Sequence, residues 1–378
     1  MELKQLLVTA LIPVLKVLSI TALGSYLALD RVNILGEVTR KNLNTVVFYV
    51  FGPALVSSNV AQTSTYQNMV KMWFIPVNIL ITFIIGSILG CLLIQLIRPP
   101  AHLRGLVLGC CAAGNLGMML LIIVPEVCKE KGSPFGAPDV CHMYAMGYAS
   151  LSMAVGDFYV WSYVYNIVRI SSRRGNQDYN QSVERSSTSD QATTSRKLEQ
   201  RIVMVLQKIN LKSIFAPSTI GALVGFPIGV IPQIRKLFLG DGAPLRVIQD
   251  TAYLLGDGAI PSLILIIGGN LLKGLRGSGI QKSLVVGIIV VRYVALPLIG
   301  ILVVKGALKF GLVHSDPLYL FVLLLQFSLP PAMNIGIMTQ VFGAGENECS
   351  VIMLWTYAFA SLSLTFWSAA FMWLVARL

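Results

Sequence analysis

Long runs without charged side chains dominate this chain of 378 residues. Five runs contain no Asp, Glu, Lys or Arg: 72–97, 105–125, 213–234, 317–345 and 349–376. Five others carry one interior charge or are slightly shorter: 6–29, 43–61, 143–168, 251–272 and 283–304. About 18–20 apolar residues are enough to cross a bilayer as a helix, and lipid cannot satisfy an open backbone. The chain is therefore predicted to be an all-α membrane protein with ten transmembrane helices, called spans 1 to 10 in chain order.

The distribution of charge predicts how these spans are oriented. Only 12% of the residues are charged, about half of what is usual in soluble domains. The formal net charge is +12, and the excess lies in the loops. Lys and Arg are more numerous on the side that carries the loop between spans 5 and 6, and most of the difference between the two sides comes from that loop. Positive residues accumulate on the cytosolic side of membrane proteins. The central loop is therefore predicted to be cytosolic and both termini lumenal, and no nucleic-acid partner is needed to explain the charge.

An internal repeat divides the chain into two halves. Residues 1–170 form the first predicted five-helix repeat, and residues 213–378 form the second. Between them, 171–212 is a polar loop that is predicted to be disordered at first and then amphipathic. Asn115-Leu116-Gly117-Met118-Met119 in span 4 matches Asn334-Ile335-Gly336-Ile337-Met338 in span 9. Because each half has five crossings, the second repeat enters the membrane inverted, which places a transport site near the midplane, where broken, crossing helices 4 and 9 meet.

Both matching segments contain residues that interrupt helices. Pro330 and Pro331 in span 9 remove backbone donors, and Gly114 and Gly117 weaken span 4. Half-helix N-termini at such breaks favour anions, and the amides of two asparagines can hydrogen-bond to a ligand. The predicted substrate-binding residues are Asn115, Asn334, Gly114, Gly117, Pro330, Pro331, Met118, Ile335, Ser57, Tyr148 and Ser152. For the apolar and serine members, ordinary helix packing is the alternative interpretation.

The whole chain resembles the PIN-LIKES proteins of plants, relatives of the PIN auxin efflux carriers. The resemblance depends on the five-plus-five arrangement around a polar loop and on four segments. These segments are Gly114–Met119, Leu329–Gly336, Gly256–Pro261 and Gly268–Leu271. The resemblance implies a carrier of auxin (indole-3-acetic acid) in the endoplasmic reticulum membrane that contributes to intracellular auxin homeostasis. It also implies a homodimer and an elevator mechanism, in which spans 3–5 and 8–10 move against spans 1, 2, 6 and 7.

By the same resemblance, Asn115 and Pro330 take the places of a crossover asparagine and a crossover proline of the PIN carriers. Two positions depart from the PIN pattern. Gly114 stands where those carriers have their first crossover proline, which weakens the expected break in span 4. Lys71 resembles a lysine of the PIN support site, but Gln67 occupies the position of its acidic neighbour.

Ionisable residues inside apolar spans are candidates for coupling or support. A charge in hydrocarbon is costly, so such residues usually face a cavity or a partner. Asp157 in span 5 and Asp257 in span 7 could bind a proton, or could be a paired structural charge and a helix cap, respectively. Lys71 and Arg292 could attract an anion, and Lys16 in span 1 is interpreted as snorkelling to the interface.

The cysteines and histidines give no pattern typical of a metal site, since there is no CxxC and the chain has three histidines. We predict no metal and no cofactor. Cys128 and Cys141 flank one loop and could form a disulfide if that loop faces an oxidising lumen.

Three alternatives compete with an organic-anion carrier. A sodium-coupled symporter of the bile-acid-transporter kind shares inverted repeats, but no acidic residue is adjacent in sequence to Asn115, Gln326 or Asn334. A membrane receptor could use the same breaks to bind without translocating. An enzyme is not expected, since the spans contain no paired acids, HExxH motif or clustered Ser/His arrangement.

Overall fold

The computed structural model describes residues 3–65, 70–130, 132–172, 216–240, 242–274, 279–343 and 345–377. The polar loop predicted at 171–212 lies outside the described residues from 173 onward, and so does Gln67. Within these ranges the backbone is helical, without any strand of a sheet. The prediction of an all-α membrane protein is therefore confirmed.

The first half of the chain contains seven described helices. They are α1 (Leu3–Leu27), α2 (Glu37–Val46), α3 (Gly52–Thr63), α4 (Phe74–Ile97), α5 (Ala101–Ala112), α6 (Met118–Lys129) and α7 (Pro138–Tyr159). A π-helical turn, Val47–Phe51, joins α2 to α3. A second π-helical turn, Val160–Val164, extends α7, and the helix continues over residues 165–172.

The second half of the chain contains nine described helices. They are α8 (Pro217–Val230), α9 (Pro232–Phe238), α10 (Arg246–Asp257), α11 (Ala259–Gly274), α12 (Lys282–Val290), α13 (Leu296–Lys309), α14 (Pro317–Leu325), α15 (Asn334–Phe342) and α16 (Glu346–Val375). The π-helical turn Val291–Ala295 joins α12 to α13.

Within the described ranges, six helical stretches are long and apolar enough to cross a membrane. They are Gln5–Leu27, Glu37–Thr63, Val70–Ile97, Arg246–Leu272, Lys282–Lys309 and Glu346–Val375. A seventh candidate is the pair α8 and α9, which is bent by 104°. Predicted spans 4 and 9 are each divided in two, into α5 and α6 and into α14 and α15. The exact count of ten spans and their inverted arrangement remain predictions.

Prolines account for two of the π-helical turns. Pro53 and Pro297 lack a backbone N–H, so the carbonyls of Tyr49 and Tyr293, four residues earlier, lose their helical donors. Both tyrosines lie inside the widened turns Val47–Phe51 and Val291–Ala295. The indole Nε1 of Trp367 donates to the freed carbonyl of Tyr293 at 2.8 Å. A helix widened by proline is thus stabilised from a neighbouring helix.

Glycines bring the helices of spans 1, 2, 6 and 7 into close contact. Gly221, Gly225 and Gly229 are spaced by four along α8, and a Cβ at any of them would meet the backbone of α3 or of Ser64, just after it. A Cβ at Gly24 or Gly268 would likewise collide with backbone atoms between α1 and α11. Small residues at such spacing allow the close van der Waals packing that holds helices together in lipid.

The loop between α6 and α7 is closed by a disulfide. Cys128 and Cys141 are bonded, with their Cα atoms 5.6 Å apart, whereas Cys91, Cys110, Cys111 and Cys349 are free. The bond ties the C-terminal end of the half-helix α6 to the first turn of α7. The disulfide that the sequence allowed but did not decide is therefore present in the structure.

This disulfide makes a prediction that counts thiols. We expect unfolded protein to react with maleimide at four cysteines without reductant and at six after reduction. When both bonded cysteines are replaced with serine, four cysteines should react with and without reductant. The free energy of unfolding should fall by about 3 kcal/mol, as expected when the cross-link of a short loop is removed. Cys91→Ser is the control for stability, because this thiol is free and exposed. Six reactive thiols in the unreduced wild type would contradict the prediction.

Candidate functional site

The two interrupted spans lie against each other at their breaks. The backbone N–H of Asn115 donates to the carbonyl of Pro330 at 2.8 Å, and that of Ala332 donates to Ala113 at 2.9 Å. These bonds form an isolated antiparallel bridge between Gly114 and Pro331. The segments 113–117 and 326–333, which we call the crossover, thus satisfy part of each other's backbone where no helix continues.

Arg292 holds the crossover from the side of α12 and α13. Its side chain is fully buried. Nε donates to the carbonyl of Leu329 at 2.8 Å and Nη1 to that of Cys111 at 3.2 Å, while Nη2 contacts the carbonyls of Leu329 and Pro330. Among the described residues it has no carboxylate partner. Carbonyl groups left free where helices end carry partial negative charge, and they stabilise the cation instead.

Gly114 leaves the space that this guanidinium fills. A Cβ at Gly114 would overlap Nη2 of Arg292 and lie 3.4 Å from Cβ of Leu329. Any residue with a Cβ at this position, including the proline expected from the resemblance to the PIN carriers, would have to displace the guanidinium. The backbone at this position is needed close to the arginine.

Asn115 is fixed at the crossover by three partners. Its amide Nδ2 donates to the hydroxyl of Tyr357 at 2.7 Å, its Oδ1 accepts from the N–H of Met118 at 3.2 Å, and its backbone binds Pro330. The Tyr357 hydroxyl in turn donates to the carbonyl of Pro331 at 3.0 Å. The side chain of Asn115 therefore caps the first turn of α6, so one N–H that we expected to be free for an anion is already satisfied.

Asn334 is bonded to a carboxylate. Its Nδ2 donates to Oδ1 of Asp157 on α7 at 3.1 Å, and the hydroxyl of Ser218 on α8 donates to Oδ2 of the same carboxylate. No acidic residue is near Asn334 in sequence, but the fold brings Asp157 to it. In the sequence, the lack of an acidic residue next to Asn334 argues against a cation site. The fold removes that objection, because it places Asp157 within hydrogen-bond distance.

A cavity of about 260 Å³ extends from the crossover to the helix ends at Glu37 and Glu346. Its wall near the crossover is formed by Asn115, Asn334 and Asp157 together with backbone and apolar side chains. Helices α2 and α11 supply the polar residues Arg40, Lys41, Asn44 and Asn270. From the charge distribution, we expect the ends of the helices at Glu37 and Glu346 to lie on the cytosolic side.

The structure brings some of the predicted site residues to this cavity and leaves others elsewhere. The cavity is lined by Gly114, Asn115, Gly117, Met118, Asp157 and Asn334. The residues that do not line it are Pro330, Pro331, Ile335, Ser57, Tyr148, Ser152, Asp257, Lys71 and Arg292. Of these, Pro330, Pro331 and Arg292 build the crossover.

The remaining predicted residues have other surroundings. Ile335 is fully buried, and Tyr148 packs against Tyr319 with ring centroids 5.3 Å apart. The hydroxyls of Ser57 and Ser152 donate to carbonyls of their own helices at 3.1 and 2.7 Å, as the packing interpretation holds.

Lys71 and Asp257 are both exposed. Lys71 precedes α4, and Asp257 ends α10. Neither position brings its charge to the crossover.

Lys16, interpreted from sequence as snorkelling, has partners. Its ammonium lies 2.7 Å from Glu126 and 3.3 Å from Glu130 at the far end of α6, and Lys129 also binds Glu126 at 2.9 Å. This group of charges joins α1 to α6 on the side of the crossover where the disulfide lies.

Ser218, Tyr357, Arg40 and Asn270 are site residues that the sequence analysis missed. The apolar run of span 2 begins at residue 43 and so does not include Arg40, whereas the helix begins at Glu37. Asn270 follows the Gly268-Gly269 pair that supported the resemblance, which was an available signal. Ser218 and Tyr357 have no feature in sequence that separates them from packing residues.

Comparison with known proteins agrees with this architecture. Residues 9–368 match the family described as membrane transport protein. The chain is 56% identical to Protein PIN-LIKES 1 of Arabidopsis thaliana over 100% of its own length and 81% of that protein. It belongs to the PIN-LIKES family of membrane transport proteins. Identity to Protein PIN-LIKES 3 is 55%, covering 99% of this chain and 100% of the relative, and to Protein PIN-LIKES 4 it is 47%, covering 99% and 100%. The resemblance to PIN-LIKES proteins seen in the sequence is therefore confirmed, and the chain is an integral membrane protein of a transporter family.

Proposed function

We propose that this PIN-LIKES chain is a secondary transporter of small organic anions, with auxin (indole-3-acetic acid) as its substrate, and that it is not an enzyme. The observation that carries the proposal is the cavity that ends at two hydrogen-bonded helix breaks, next to Asn115 and Asn334. Broken helices at the meeting point of two repeats are typical of substrate sites in secondary transporters. Apolar walls beside polar amides suit an aromatic ring that carries a carboxylate.

The mechanism we propose is an elevator movement. Glycines allow close contact between α8 and α3 and between α1 and α11, which favours a rigid scaffold. The crossover belongs to the other group, spans 3–5 and 8–10, which would carry the substrate. Asp157 on α7 and Ser218 on α8 form one hydrogen bond between the two groups. Such a bond would have to break when the groups slide.

We propose that the chain lies in the endoplasmic reticulum membrane, with its central loop cytosolic and both termini lumenal. There it would contribute to intracellular auxin homeostasis. The disulfide between Cys128 and Cys141 supports this orientation. Its loop falls on the lumenal side by the charge distribution, and an oxidising lumen is where such bonds persist.

A sodium-coupled mechanism is the second candidate, because Asp157 supplies a carboxylate beside Asn334. Oxygen ligands of this kind suit a hard cation. Against it, both carboxylate oxygens already accept hydrogen bonds from Ser218 and Asn334. Replacing Na⁺ by K⁺ in the transport assay separates the two mechanisms, and we expect no change.

Uptake of labelled indole-3-acetate into vesicles tests the proposed site. We expect Asn115→Ala and Asn334→Ala to reduce uptake at least about tenfold at normal protein levels, because each loses an amide hydrogen bond at the cavity wall. Asn166→Ala is the matched control, since that amide bonds Ser162 within its own helix and does not line the cavity.

Three results would count against the proposal. If wild-type vesicles accumulate no indole-3-acetate, the substrate is wrong. If Asn115→Ala and Asn334→Ala both transport like the control, the substrate binds elsewhere. Binding of indole-3-acetate without any flux would point to a receptor.

A further inference from the structure

The α2 side of the cavity has a charged face that no step of the proposed mechanism uses. Glu37, Arg40, Lys41 and Asn44 line the cavity at helical spacing, so they share one face of α2. One negative and two positive side chains leave this face with a net charge of +1. The face lies between the crossover and the mouth at which the cavity reaches the helix ends.

Arg40 is unusual on this face because it is buried. Its exposed fraction is 8%, although it belongs to the first turns of a helix at the cavity mouth. Nη1 donates to the carbonyl of Leu35 at 2.6 Å, and Nε is buried without a hydrogen-bond partner in the described part of the chain. A guanidinium has five N–H donors, and leaving buried donors of a charged group unsatisfied is unfavourable.

The backbone of α11 is shaped to accept this side chain. A Cβ at Gly269 would lie 2.5 Å from Cδ and 3.2 Å from Nε of Arg40. The arginine therefore rests against a position that has no side chain, and Asn270 beside it lines the same cavity. A side chain enclosed in this way is positioned before a ligand arrives, which reduces the entropy lost on binding.

We propose that Arg40 binds the carboxylate of the transported organic acid as the acid enters the cavity, before it reaches the crossover. Planar guanidinium groups match carboxylates in geometry and charge. Lys41 adds a positive charge one residue on. Of the three acidic cavity residues, Glu37 shares this face of α2 and offsets one of its two positive charges, whereas Asp157 and Glu346 lie on α7 and α16. This inference rests on the proposed function and adds a second anion-binding position to it.

The position of Arg40 on the scaffold makes this an entry site. Helix α2 belongs to span 2, which does not move with the crossover in the proposed elevator. An anion held by Arg40 would have to leave it to be carried. Loss of the arginine should therefore raise the KM for uptake from the side on which the cavity opens more than it lowers the maximal rate.

Binding of an acid and of its neutral amide separates a carboxylate site from a structural role. We would measure the affinity of the purified full-length chain in detergent for indole-3-acetate and for indole-3-acetamide. Arg40→Gln is expected to lower the affinity for the acid about tenfold, which is the size of one charge-assisted hydrogen bond. The affinity for the amide should change by less than about twofold. Because Arg40→Lys retains the charge, its affinity for the acid should lie between those of the wild type and Arg40→Gln. Lys282→Gln, which removes an exposed charge outside the cavity, is the control.

The outcomes are distinct for this inference and for the proposed function. A wild-type chain that binds neither acid nor amide overturns both. A wild-type chain that binds the acid, together with Arg40 variants that bind it unchanged, overturns the entry site alone. Equal losses for acid and amide in Arg40→Gln, or an unchanged acid-to-amide ratio in Arg40→Lys and Arg40→Gln, would assign the arginine a structural role and overturn it too.

Discussion

Replacing Gly114 with alanine is expected to destabilise the protein by about 1–3 kcal/mol, the range for overfilled interiors, and to abolish transport. The added methyl group would occupy the space of Nη2 of Arg292. The guanidinium cannot withdraw without losing its hydrogen bonds to the carbonyls of Leu329 and Cys111. Thermal unfolding of the purified protein in detergent and indole-3-acetate uptake measure the two effects.

Gly336 provides a matched control for stability within the same repeat pattern. It follows Asn334 as Gly117 follows Asn115, but a Cβ there would have one neighbour, the sulfur of Cys349 at 4.0 Å. Because alanine is favoured over glycine inside helices by about 1 kcal/mol, Gly336→Ala should leave thermal stability equal or slightly higher. Equal stability of the Gly114→Ala and Gly336→Ala variants would show that Arg292 can move aside, and that the crossover does not depend on the hydrogen bonds of Arg292.

The architecture could be predicted from sequence because it depends on strong local signals. Uncharged runs must become helices in lipid, and Pro330, Pro331 and Gly114 marked the two interruptions. Both breaks appear in the structure where these residues stand. That they lie against each other followed from the matched positions of Asn115 and Asn334 in the two halves.

The contacts that organise the site could not be predicted, because their partners carry no sequence signal. Arg292 binds backbone carbonyls, which every residue has, and Cys111 is 181 positions away. Asp157 meets Ser218 and Asn334 only after three helices have packed, so each looked like an isolated polar residue. Arg40 lies outside the apolar run of span 2 because hydropathy marks the apolar part of a helix and not its polar first turns.

Removing the carboxylate of Asp157 is expected to give the second largest loss of transport. Asp157→Ala loses both hydrogen bonds, to Ser218 and to Asn334, and should lower uptake about a hundredfold, since hydrogen bonds to charged groups contribute about 1.5–3 kcal/mol each. Asp157→Asn can still accept from Asn334 and donate to the serine hydroxyl. Because only the charge is lost, we expect a smaller reduction, about tenfold.

Comparison of Asp157→Asn with Asp157→Ala shows whether Asp157 acts by holding Asn334 and Ser218 in position or through its negative charge. Asp139→Asn, at the exposed start of the same helix, should transport normally and serves as the control. If Asp157→Asn is as inactive as Asp157→Ala, the negative charge itself is required, and a bound cation must balance it. Repeating the wild-type measurement with Na⁺ replaced by K⁺, and then with and without a pH gradient, identifies that cation. Uptake that requires Na⁺ would contradict our expectation and favour the symporter mechanism, because a carboxylate that only orients Asn334 for an organic anion has no need of sodium.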